Sequence, residues 1–183
     1  RRRGYGRMPM LPHHLPMTVL GGAMLWFGWF GFNAGSALGA GPLAANAVLT
    51  TQMSAAIGIV GWVLVERYHR GKPTVLGAVS GGVSGLVAIT PAAGFVTPVA
   101  AIPIGFIGAI CCYVAVAILK SKFGYDDSLD AFGIHGVGGT WGAIATGLFA
   151  TVTVNPDGAD GLFYGGNLLI PQLISLVVAI ALA

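Results

Sequence analysis

The sequence predicts an all-α, polytopic membrane helix bundle of six spans, and three observations carry that prediction. Of 183 residues, 55% are hydrophobic and only 8% charged, where a soluble domain has about 25% charged residues. All nine Lys and Arg fall in three short clusters. Between those clusters run apolar stretches near the ~20 residues that a helix needs to cross a bilayer. A mean hydropathy of +0.81 agrees. The 30 glycines favour helices packed backbone to backbone, because small residues let membrane helices approach closely.

The expected spans are about 17–41, 43–65, 74–93, 97–119, 131–151 and 162–183, forming a membrane domain over 17–183 after a basic loop at 1–16. The basic clusters are Arg1, Arg2, Arg3 and Arg7; Arg67, Arg70 and Lys72; and Lys120 and Lys122. They occupy every second connection. The uncharged "AGP" and "TPAAGF" and the acidic "VNPDGADG" fill the others. Alternation of this kind is what the positive-inside rule requires. It puts residues 1–16 in the cytoplasm and runs the first span outward, in a plasma (inner) membrane. The net charge of +3 is spent on orientation, so no nucleic-acid partner is expected. "RRRGYGRMPMLPHHLPM" has no apolar core before a small-residue cleavage site, hence no signal peptide. The chain starts in a basic loop and stops within an apolar run, so a piece of a longer polypeptide is expected.

Taken in order, the first span opens at Pro16, which suits a helix start because its missing N–H costs nothing there. Trp29, Phe32 and Ser36 follow at spacings of three and four, which places them on one face. Two readings stay open for that face: packing between helices, or reception of a small cation by the ring faces. Asn33 needs a protein partner or a watery path, since an unpaired amide in lipid is costly. In the second span Asn46, Thr50, Thr51, Gln52 and Ser54 are expected to bridge helices. The third carries Gly77, Gly81 and Gly85 at intervals of four, a ridge for close helix contact. The fourth holds Pro103, Gly105 and Gly108, compatible with a local bend. Its Cys111 and Cys112 read as small packing residues.

The fifth span contains the chemistry. Asp126, Asp127 and Asp130 precede it, and carboxylates at a helix N-terminus are favoured by the unpaired N–H groups. His135 lies five residues beyond Asp130, roughly 7–8 Å deeper along a helix. A buried imidazole is pushed toward its neutral form and then offers one donor and one acceptor nitrogen. It suits the handling of a small hydrogen-bonding molecule or a proton, or a structural bond between helices. The residues leave both open. No second ligand accompanies His135 on its span, so no metal and no cofactor are expected. "GGVSG" and "GVGG" lack the phosphate-loop ending, and no Ser/His/Asp set is spaced for covalent catalysis. An enzyme is not expected.

Three stretches, "GWFGFNAGS" (Gly28–Ser36), "SGLVAITPAAGFV" (Ser84–Val96) and "DAFGIHGVGGTWGAIATGLFA" (Asp130–Ala150), together resemble the ammonium transporter family (Amt/Mep/Rh), on its Amt side. The resemblance covers essentially the whole chain. It implies spans six to eleven of an eleven-span fold built from two inverted halves, assembled as a homotrimer with one pore per subunit. It also implies ammonium/ammonia as substrate and a possible cytoplasmic regulatory protein as partner. By motif, Ser36 is similar to the serine of the outer ammonium-recruitment site. Phe32 resembles one of two stacked gate phenylalanines, and Trp29 a pore-lining tryptophan. His135 resembles the second of a pair of pore histidines, and Asp130 a structural acid near the cytoplasmic end of its helix. The first histidine, its associated aspartate, the other gate phenylalanine and the recruitment tryptophan belong to the family's first half and have no match here. Two rival readings remain: an ammonium-sensing module without net transport, and an inactive truncated bundle.

Overall fold

The structure, a computed structural model, describes residues 11–182. It is built of helices: α1 (Leu15–Gly35), α2 (Pro42–Arg70), α3 (Val75–Ile89), α4 (Pro98–Tyr113), α5 (Lys120–Phe123), α6 (Val137–Phe149) and α7 (Leu169–Leu182). A π-helical stretch, Val114–Leu119, joins α4 to α5, so the two form one rod over Pro98–Phe123. A π-helical turn, Phe132–Gly136, leads into α6, and a 3₁₀ turn, Leu162–Tyr164, precedes α7. No strand occurs among the described residues.

Local chemistry sets the helix ends. The His14 ring accepts the Met17 N–H at 3.1 Å, with Pro16 in the first turn of α1. Thr74 caps α3 by accepting the Gly77 N–H at 2.9 Å. Thr97 does the same for Ala100 at 3.4 Å, followed by Pro98 at the start of α4. These are the donors that a helix N-terminus leaves unpaired. Helix α2 stops at Gly71, whose φ of +79° is the left-handed conformation that glycine adopts without penalty.

Among the described residues, Leu15–Gly35, Pro42–Arg70 and Pro98–Phe123 are long and apolar enough to cross a membrane; Val75–Ile89 and Leu169–Leu182 are shorter apolar helices. Three helices stop or start inside the expected bounds. The first ends at Gly35, and the third ends at Ile89. Residues 90–97 turn instead, burying Ala92, Ala93 and Val96. The last helix begins only at Leu169, after a turn in which the Gly166 N–H reaches the Gly161 carbonyl at 3.0 Å. Apolar runs do not mark these ends, because the turns themselves carry apolar residues, buried after α3 and exposed after α1 and before α7.

Helix α2 is the hub, packed against α3 and α4. The glycine ridge of α3 makes that possible. A Cβ on Gly85 would run into the Ser54 carbonyl, and one on Gly81 would lie 2.6 Å from the Trp62 Cβ. On the facing side, a Cβ on Gly58 would come within 2.5 Å of the Gly81 carbonyl. Polar rungs tie the same contact together. Ser54 Oγ donates to the Gly85 carbonyl at 2.7 Å, and Asn46 Nδ2 donates to those of Ala93 and Val96 at 3.2 and 3.1 Å. Thr50 donates to the Ala93 carbonyl at 3.0 Å, while Gln52 accepts from Trp26 Nε1 at 3.1 Å. The expectation that these side chains bridge helices holds. By contrast, α1 and α7 bury no residue fully.

The connections gather at two ends. At one, Leu11, Glu66, Arg70, Thr74, Lys120 and Asp130 surround a cavity of about 510 Å³. At the other, Ser36, Leu43, Gly94 and Asn155 surround a cleft of about 190 Å³. Basic and non-basic connections thus segregate to opposite ends of the bundle. The cluster Arg1, Arg2, Arg3 and Arg7 of the expected cytoplasmic loop lies outside the described residues.

Candidate functional site: an aromatic–imidazole path below a polar cleft

Helix α1 brings one line of side chains down the open side of the bundle. At its end, Ser36 Oγ donates to the Phe32 carbonyl at 2.6 Å, so the hydroxyl folds back over the last turn. Phe32, Asn33 and Ser36 line the 190 Å³ cleft together with Thr90, Phe95 and Asn155. Asn33 is not left unpaired: its Nδ2 donates to Thr51 Oγ1 at 2.9 Å. Below the cleft, Phe32 meets Trp29 edge to face, with ring centroids 6.0 Å apart at 87°. Phe32 remains 62% exposed.

Trp29 is held from behind and stacked in front. Its Nε1 donates to Thr90 Oγ1 at 2.8 Å, and the Thr90 hydroxyl donates in turn to the Leu86 carbonyl at 2.7 Å. The indole also stacks on His135, with centroids 6.3 Å apart and planes at 19°. Stacking engages the face of the imidazole and leaves both ring nitrogens at its edge, able to donate or accept. The structure therefore brings Ser36, Phe32, Trp29 and His135 into one descending series.

One expectation needs correction. His135 is not buried in this chain but exposed. The physical reason is that α6 packs on α3 and α4 through its other face. The acids at the helix start divide their work. Asp127 supplies the cap, its Oδ2 accepting the Gly133 N–H at 3.0 Å. Asp130 instead has a left-handed backbone (φ +56°) and pairs with Lys120. That φ turns its carboxylate away from the N–H groups and toward the Lys120 ammonium; the Asp130 carbonyl accepts the Ile134 N–H at 2.9 Å.

Comparisons with known proteins identify the family. The model of the Ammonium Transporter Family matches residues 1–183. The chain belongs to the ammonium transporter family. It is 62% identical over 168 residues to the ammonium transporter of Bacillus subtilis, an alignment covering 92% of this chain and 42% of that protein. Its fold is similar to the crystal structure of Saccharomyces cerevisiae Mep2, with a TM-score of 0.89 and 39% identity, over 96% of this chain and 41% of that one. It is also similar to a structure described as a sensor Amt protein, with a TM-score of 0.81 and 32% identity, over 91% and 40% of the two chains. The chain thus spans about two fifths of the length of the relatives it matches. The family is one of transporters rather than enzymes, and it places the apolar helices in a membrane.

Two residues of this family segment escaped the reading of the sequence. Thr90, the support of Trp29, sits inside a run read only as span. Glu66 was read as part of a charged loop, yet it is 3% exposed and accepts both the Thr74 N–H at 3.0 Å and the Thr74 hydroxyl at 2.9 Å. It ties the end of α2 to the start of α3. Its signal was an acid one helical turn beyond Trp62, on the face that later meets the glycine ridge.

Proposed function

We propose that this segment forms one wall of an ammonium/ammonia pathway in a full-length ammonium transporter. The observation that carries the reading is the stack of Trp29 on His135 beneath Phe32, along an open face of the bundle. Ammonium is recruited at the outer cleft by the Ser36 hydroxyl and nearby ring faces, which attract a cation through their quadrupoles. Passage of an intact cation through a dry pore carries a heavy desolvation cost. Deprotonation past the Phe32 gate removes that cost, and ammonia continues along the Trp29–His135 edge, where imidazole nitrogens offer hydrogen bonds or relay the proton. Asp130 keeps a structural role. The parent protein acts as a homotrimer in the plasma or inner membrane, with residues 1–16 cytoplasmic and open to a regulatory protein.

The test is flux into proteoliposomes carrying the full-length transporter. Ser36→Ala should raise the KM for ammonium several-fold and leave the maximal rate nearly unchanged, because Ser36 contacts the arriving ion and not the path below. An unchanged KM would remove Ser36 from recruitment. The similarity to a sensor Amt protein supports a second reading, ammonium binding without passage. Saturable binding with no flux in the same vesicles would favour it.

A further inference from the structure

We propose that Lys120 is a positioning residue for His135. The inference rests on the transport role given to His135 above. In the sequence Lys120 belongs to a basic cluster that orients the chain, but its side chain does more than face water. Its Nζ donates to the Asp127 carbonyl at 3.2 Å and pairs with the Asp130 carboxylate. Both partners belong to the short loop that enters the π-helical turn Phe132–Gly136, the turn that carries His135. From that loop the Asp127 carboxylate holds the Gly133 N–H, and the Asp130 carbonyl holds the Ile134 N–H. One ammonium therefore fixes the two residues that set the start of the turn.

The π geometry makes this fixing consequential. A π turn spreads its residues more widely about the axis than an α turn, so where it starts decides which way its fourth residue, His135, points. Asp130 is held in a left-handed conformation that non-glycine residues adopt uncommonly, and the Lys120 pair holds its side chain there. Packing constrains the turn from the other side. A Cβ on Gly133 would lie 2.6 Å from Val116 Cγ2, a residue of the π stretch that leads to Lys120. The Cys112 thiol approaches the Ile134 carbonyl at 3.5 Å. The rod over Pro98–Phe123 thus touches the His135 turn at its middle and grips it at its entrance.

The experiment uses the full-length transporter in proteoliposomes, with Lys120→Met, Lys120→Arg and His135→Ala compared for folded protein, KM, maximal rate and ammonium-over-potassium selectivity per folded molecule. Lys122 keeps the loop basic, so orientation is preserved. Lys120→Met should lower the maximal rate about 3- to 10-fold or erode selectivity, with KM unchanged because the Ser36 cleft is at the opposite end. Lys120→Arg should restore most of both. If Lys120→Met reduces only the amount of folded protein and leaves rate and selectivity per molecule intact, the positioning role is wrong. If His135→Ala is itself without effect, the transport reading fails and takes this inference with it. Should Lys120→Met yield no folded protein, Asp130→Asn breaks the same pair without changing side-chain size, and its rate and selectivity decide by the same criteria.

Discussion

Replacing Gly85 by leucine is expected to leave almost no folded transporter. Gly85 sits where α3 lies directly on α2, and the obstacle to any side chain there is main chain. A Cβ would collide with the Ser54 carbonyl oxygen and lie 2.8 Å from its carbon and 2.9 Å from the Ala55 Cα. A clash with a side chain is relieved by a rotamer change, whereas a clash with backbone moves a whole helix. Overfilling a well-packed core ordinarily costs about 1–3 kcal/mol. Here separating the helices also breaks the Ser54 Oγ bond to the Gly85 carbonyl and pulls Gly58 away from Gly81. Against a total stability of roughly 5–15 kcal/mol, the combined loss is disabling. Gly21 is the control: nothing lies within 4 Å of its Cβ position, and Gly21→Leu should fold. Monodisperse full-length protein after detergent extraction, followed by its thermal transition, checks both. Normal yield and melting of the Gly85 variant would mean that the two helices do not meet as closely as described.

That ridge was legible because small residues at a period of four have a single physical use in lipid. The one-face spacing of Trp29, Phe32 and Ser36 was legible for the same reason: an α-helical period fixes which side chains share a face. What spacing does not reveal is what stands opposite. His135 reads as buried when its span is imagined inside a complete bundle, yet in this chain it is exposed, stacked on Trp29. The π turn was also hidden. It lies against Val116 and Cys112 of another helix, contacts that no local spacing shows. Which of the acids caps the turn follows from one positive φ at Asp130, to which Asp is only mildly predisposed. Glu66 pairs with Thr74 across the reversal at Gly71, a distance of eight residues that no helical period spans. The residues lost to the sequence reading are those whose partners lie around a turn or on another element.

His135→Ala is expected to cut selective ammonium transport by an order of magnitude or more, while leaving the fold nearly intact. The two halves of that expectation come from the same observation. Because the imidazole is exposed and contributes one stacking contact to Trp29, its removal from this chain's packing is worth little; surface truncations usually stay within about ±0.5 kcal/mol. Trp29 itself keeps its hydrogen bond to Thr90. The loss therefore falls on whatever passes the edge of the ring. Ammonia moving between apolar walls loses its hydrogen bonds to water, a penalty of a few kcal/mol for a small polar group. Ring nitrogens at the imidazole edge return part of it, and each ~1.4 kcal/mol is a factor of ten in rate. Alanine returns none. It also opens space beside Trp29 that water fills, which lets a hydrated cation compete. Flux and ammonium-over-potassium selectivity, measured in the same proteoliposomes, separate the outcomes. A fall in flux with selectivity kept assigns the ring a hydrogen-bonding role, whereas potassium leak assigns it the exclusion of water. If neither changes, His135 is a packing residue and the pathway runs elsewhere.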